Sequence, residues 1–124
     1  MTEKQKVLVC EDNKLTQKVL EAALKKMDFD VILAKDGDEG ISHIKEDNVD
    51  LILTDINMPY NNGLELVEYV RKNFERKIPV IIVTNINLED TRKHAMELGA
   101  DAYITKPFDP GELRKAIELL QIPD

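Results

Sequence analysis

Five polar residues follow directly on apolar runs, and each is of a type that handles metal ions or phosphate. Glu11 and Asp12 follow the run 7–10, Asp55 follows 51–54, Thr84 follows 80–83, and Lys106 follows Ile104-Thr105. If the runs end on one rim, the rim carries three carboxylates, a hydroxyl and an ammonium. Crowded carboxylates raise one another's pKa unless positive charge intervenes. Hard oxygen donors suit Mg²⁺, which is held by one or two carboxylates with water and phosphate oxygens. One lysine and one divalent cation balance three carboxylates, leaving a neutral cluster able to receive a phosphoryl group. Asp55 is the nucleophile candidate, since carboxylates form aspartyl-phosphate intermediates. Thr84 can donate to a phosphoryl oxygen and Lys106 can offset its charge.

The elements that must position these residues are legible as alternating strands and helices. Strands are expected at 6–11, 30–34, 50–55, 78–84 and 101–106; in the first, third and fourth the apolar residues are consecutive, as in strands covered on both faces. Helical stripes lie between them: Leu15, Val19, Ala22, Ala23 and Met27; Leu66, Val67, Val70 and Phe74; Leu113, Ala116, Ile117 and Leu120. Sparser helical patterns cover 36–47 and 88–98. Asp109-Pro110-Gly111-Glu112 opens the last helix, Asp36 to Glu39 and Asn87 to Asp90 have the same acceptor-then-carboxylate spacing, and Gly99 is a helix stop. Five βα units imply right-handed crossovers and helices on both faces of one open parallel sheet, a doubly wound α/β fold. In such sheets ligands bind beyond the carboxyl ends of the strands, where the strand order reverses.

Composition narrows the function classes. The 124 residues fit one domain, and 43% apolar with 33% charged residues describes a chain able to bury a core. Seventeen basic against 24 acidic residues, a formal charge of −7, argue against a nucleic-acid face, which needs clustered Lys and Arg. No apolar run approaches membrane-helix length, and residues 1–6 have no stretch of signal-peptide length. A single cysteine, Cys10, makes no internal disulfide and reads as a small buried hydrophobe. His43 and His94 have no ligand spacing and read as surface residues. A cytoplasmic location is expected.

With Glu11-Asp12, Asp55-x-x-Met58-Pro59-x-x-x-Gly63, Thr84, and Lys106-Pro107 preceded by Tyr103, the chain resembles the receiver domain of two-component response regulators over about residues 6–120. The resemblance implies a flavodoxin-like (βα)₅ fold with sheet order 2-1-3-4-5, and a single receiver domain over 1–124 with no output domain. It implies that Asp55 accepts a phosphoryl group from a sensor histidine kinase or a histidine phosphotransfer protein. Mg²⁺ would be bound by Asp12, Asp55 and the backbone carbonyl of Asn57, with Glu11 helping through water. Thr84 and Lys106 would hold the phosphoryl group with the backbone N–H groups of Asn57 and Asn85, and Lys106-Pro107 would be cis. Thr84 and Tyr103 would form the switch, Tyr103 turning inward as Thr84 moves. The output surface would be the fourth helix, fifth strand and fifth helix, acting on a protein partner, with no nucleic acid or membrane contact. The domain would be a monomer or a phosphorylation-dependent dimer, and no enzyme beyond its own phosphorylation and slow-to-intermediate dephosphorylation.

Three positions depart from the family pattern or tune it. Asn85 stands where Ala or Gly is usual, and Asn57 and Ile86 occupy the positions that set phosphate lifetime. Ile86 cannot orient an attacking water. Rival readings fit less well. A haloacid-dehalogenase-type phosphatase wants a second aspartate where Asn57 stands, a flavodoxin-like cofactor protein wants a phosphate loop after the first strand, and an interaction-only pseudo-receiver would not have every site position filled.

Overall fold

The computed structural model describes residues 4–75 and 77–120. Strands β1 (Lys6–Cys10), β2 (Asp30–Ala34), β3 (Leu51–Thr54), β4 (Val80–Thr84) and β5 (Ala102–Thr105) alternate with helices α1 (Lys14–Lys26), α2 (Gly37–Glu46), α3 (Gly63–Asn73), α4 (Glu89–Leu98) and α5 (Pro110–Leu120). The strands form one parallel sheet in the order β2-β1-β3-β4-β5. This is the doubly wound fold expected, and the strand order reverses between β1 and β3.

Successive strand residues point to opposite faces, and each face feeds its own core. Leu8, Cys10, Ile52, Val80 and Ile82 pack with Ile44, Leu66, Val67, Val70 and Ala95 of α2, α3 and α4. Val7, Val9, Leu51, Leu53, Ile81 and Val83 pack with Leu20, Leu24, Leu113 and Ile117 of α1 and α5. The consecutive apolar runs are therefore explained: both faces of β1, β3 and β4 are covered.

Helix ends follow local chemistry. Asp36 caps α2 by accepting from Glu39 N, and Asp109 accepts from Glu112 N at the start of α5. Gly99 ends α4 in the left-handed region at φ 117. Asn62 forms a full capping box with Glu65 at the start of α3.

Two expectations are corrected. Leu15 and Val19 of α1 are exposed, at 76% and 51%, whereas Leu20 and Leu24 are buried. Ala23 and Met27 of the expected stripe do pack against the core beside Leu20 and Leu24, so the buried face is rotated away from Leu15 and Val19. At α4 the N-cap is Leu88, without a side-chain cap bond, and not Asn87.

Ile52 is fully buried on the central strand β3. Ile52→Ala is expected to lower stability by about 2–5 kcal/mol, read as a lower urea midpoint with an unchanged slope.

Candidate functional site

Residues Glu11, Asp12, Asp55, Thr84 and Lys106 all stand at the carboxyl edge of the sheet, at or just beyond the strand ends. The backbone sets their spacing: Asp55 N donates to Cys10 O at 3.0 Å and Lys106 N to Thr84 O at 2.8 Å, while Glu11 N donates to Ala34 O at 2.9 Å. These bonds extend the parallel ladder by one residue, so Glu11, Asp55 and Lys106 each leave from the last paired position.

The Lys106 ammonium joins two of the three acids. Its Nζ donates to Glu11 Oε1 at 2.6 Å and to Asp55 Oδ2 at 2.8 Å. Both carboxylates are buried, Glu11 at 1% and Asp55 at 7% relative exposure. The second oxygens are also engaged. Asp55 Oδ1 accepts from Ile56 N at 2.6 Å and Asn57 N at 3.3 Å, and Glu11 Oε2 accepts from Asn13 N at 3.1 Å. Gln17 of α1 donates to the Glu11 carbonyl.

Burial pushes the Glu11 pKa up, against the pull of the Lys106 and Asn13 hydrogen bonds. For Lys106, burial acts downward, but the bonds to Asp55 and Glu11 outweigh it and the ammonium is held above its ordinary value. Below the same rim, burial with the charges of Asp36 and Glu39 raises the Cys10 thiol to about 12.

Asp12 stands apart from this triad. It is exposed and lines an open cleft of about 350 Å³ with Asn57, Met58, Pro59 and Asn62. Among the described residues no three His, Cys, Asp or Glu side chains gather as a metal cage. The donors on offer are two carboxylates, Asp12 and Asp55, beside the Asn57 backbone. Such a sparse, hard-oxygen set fits Mg²⁺, which keeps several waters, better than a fully caged metal.

Thr84 and Tyr103 meet through one residue. Ile86 N donates to Thr84 Oγ1 at 3.4 Å, and the Tyr103 hydroxyl donates to Ile86 O at 2.7 Å. Burial raises the Tyr103 pKa, with the Asp55 charge adding and Arg92 opposing. Asn85 is exposed. The Lys106-Pro107 bond is cis. Cys10 is buried, His94 is exposed, and half-buried His43 pairs with Asp47.

Sequence reasoning missed the supporting contacts. Asn13 and Gln17 hold Glu11 from α1, and Arg71 donates to Gly99 O and Ile78 O while pairing with Asp101. Asn13 had a readable signal, an N-cap acceptor three residues before Thr16; Arg71 and Asp101, 30 residues apart, had none.

A polar rim at the switch point of a 2-1-3-4-5 sheet defines a phosphate-handling class of doubly wound domain. A model of the response regulator receiver domain family matches residues 7–118. The chain belongs to that family, the phosphoryl-accepting signalling domain of two-component systems. Among similar solved structures, the chemotaxis protein CheY4 of Vibrio cholerae is 26% identical, with a TM-score of 0.87 over 95% of this chain and 99% of that one. A response regulator receiver domain from Francisella is 32% identical, with a TM-score of 0.87 over 94% and 96%. The receiver domain of a Pseudomonas aeruginosa sensor histidine kinase, described with magnesium in its active-site cleft, is 29% identical, with a TM-score of 0.84 over 94% and 97%.

Lys106→Ala removes the largest influence lowering the Glu11 pKa and leaves only the Asn13 bond against the burial that raises it. A carboxyl group with a raised folded pKa gives stability that is present below its unfolded value and lost as pH rises. The variant is therefore expected to be less stable than the parent by about 3–5 kcal/mol near pH 8, with the deficit shrinking toward about pH 4. Urea titrations at both pH values check this.

Proposed function

We propose that this domain takes a phosphoryl group from a phosphohistidine of a sensor kinase or histidine phosphotransfer protein onto Asp55, in a Mg²⁺-dependent reaction. The observation that carries the reading is the Lys106 ammonium bridging Glu11 and Asp55 beside a cleft bordered by Asp12. An Asp55 carboxylate oxygen attacks phosphorus, the P–N bond to histidine breaks, and the imidazole leaves with the electron pair and takes up a proton. Asp12, Asp55 and the Asn57 carbonyl would hold Mg²⁺, with Glu11 acting through water; the cation supplies neutralisation of phosphoryl charge. Lys106 stays within reach of the new phosphoryl oxygens while Glu11 retains it at the rim. Thr84 donates its hydroxyl, and the backbone N–H groups of Asn57 and Asn85 assist.

The Thr84–Ile86–Tyr103 chain of contacts supports a switch. Phosphoryl oxygens that bind the Thr84 hydroxyl better in one loop position shift the equilibrium by that difference in affinity. Movement of Thr84 is passed to Ile86 and then to the ring of Tyr103, altering the surface of α4, β5 and α5 that a downstream protein reads. Exposed Leu15 and Val19, on the helix that starts beside Asp12, support that face as the seat of the phosphodonor protein.

Asp55→Asn is expected to abolish Mg²⁺-dependent labelling by a small acyl phosphate, measured by intact mass. Labelling that persists in this variant overturns the acceptor assignment. Ile86→Glu supplies a carboxylate that can orient water and is expected to shorten phosphate lifetime about tenfold or more, followed by the decay of the labelled species.

A further inference from the structure

The cleft wall opposite Asp12 is the loop between β3 and α3, residues 55–62, and its two halves are held differently. The near half is fixed by the sheet and the core: Asp55 N bonds Cys10 O, and Met58 is buried at 8% exposure among core side chains. In the far half Tyr60 and Asn61 both adopt left-handed backbone, at φ 52 and φ 68. Neither is glycine, and the steric clash of a Cβ with its own backbone makes this conformation costly for both. The Tyr60 side chain is 70% exposed, so its packing does not offset that cost.

What holds this half comes from the N-terminus of α2. Asn61 Nδ2 donates to Asp38 Oδ1 at 2.6 Å, and Gly37 N donates to Pro59 O at 3.4 Å. The two segments are pressed together so closely that a Cβ on Gly37 would lie 1.8 Å from Asn61 O and 2.3 Å from Tyr60 O. Asn61 suits the post twice over. Asparagine tolerates the left-handed region better than other side chains, and its amide is the donor of the latch. Immediately beyond, Asn62 starts α3 through its capping box, so the latch sits between a fixed helix start and the cleft residues Asn57 to Pro59.

We propose that Asp38 and Asn61 are positioning residues: their hydrogen bond clamps the strained β3–α3 loop to α2 and thereby fixes the cleft wall that offers the Asn57 carbonyl to the cation. The consequence for Mg²⁺ rests on the functional reading above. The clamp itself does not, and the two are separable by experiment.

The test compares the parent with Asp38→Ala, Asn61→Ala and Asp38→Asn. Hydrogen exchange of the amides of residues 59–62 is measured without metal, and Mg²⁺ titration is followed by the Asn57 amide resonance. Both alanine variants are expected to exchange faster at 59–62 and to bind Mg²⁺ about fivefold more weakly, the equivalent of one lost hydrogen bond. Asp38→Asn keeps an acceptor oxygen while losing the charge, and is expected to match the parent in both measurements. Alanine variants that match the parent overturn the proposal, as does an Asp38→Asn variant as weak as Asp38→Ala, which would assign the effect to charge at the helix end. A parent that binds no Mg²⁺ overturns the metal reading and the positioning role with it, even if the clamp is seen in exchange.

Discussion

Two carboxylates buried at the end of a parallel sheet require a cation, and here it must come from across the sheet. Glu11 leaves β1 and Asp55 leaves β3, while Lys106 leaves β5, with β4 between β5 and β3. Neighbouring strands lie about 4.8 Å apart, so β5 is about 10 Å from β3 and further from β1. A long, flexible stem is needed to cross the end of β4, and lysine has one. The ammonium arrives within 2.6 and 2.8 Å of the two acids. That ion pair ties together three strand ends and puts the Asp55 carboxylate in a setting where added negative charge can be met.

Around this bridge the molecule is stiff on one side and lightly held on the other. Glu11 and Asp55 have both oxygens bonded, and the loop ends beside them continue the sheet's ladder. By contrast α4 buries only Ala95, and its first turn starts at exposed Leu88 without a side-chain cap. Its far end is secured, with Gly99 O taking two bonds from Arg71 and Asp101 linking Arg71 to Val80 N. The Tyr103–Ile86 bond joins the lightly held end to β5. Helix α4 is thus secured at its end and lightly held at its start.

Much of the fold was readable because the physics involved is local. Consecutive apolar residues in β1, β3 and β4 report coverage on both faces, and Asp36, Asp109 and Gly99 mark helix ends through their own backbone chemistry. Where two solutions satisfied the same local rule, reading failed. In α1 the stripes through Leu15 and through Leu20 are equally helical, and only docking on the sheet selects Leu20 and Leu24. In α4 Asn87 has cap chemistry, yet the path of the chain from β4 makes Leu88 the boundary.

The sequence by itself determined the element order and the set of residue types at the strand ends, since periodicity and side-chain chemistry are properties of short segments. It also carried the family resemblance, because those five positions occur in order at fixed intervals. The tertiary structure alone decided which acids share the lysine and which one faces the cleft, that Asn61 reaches Asp38, and that Arg71 reaches Asp101. Such pairings span 23 to 95 residues of chain. They depend on where packed helices and strands bring side chains together, which no local pattern encodes.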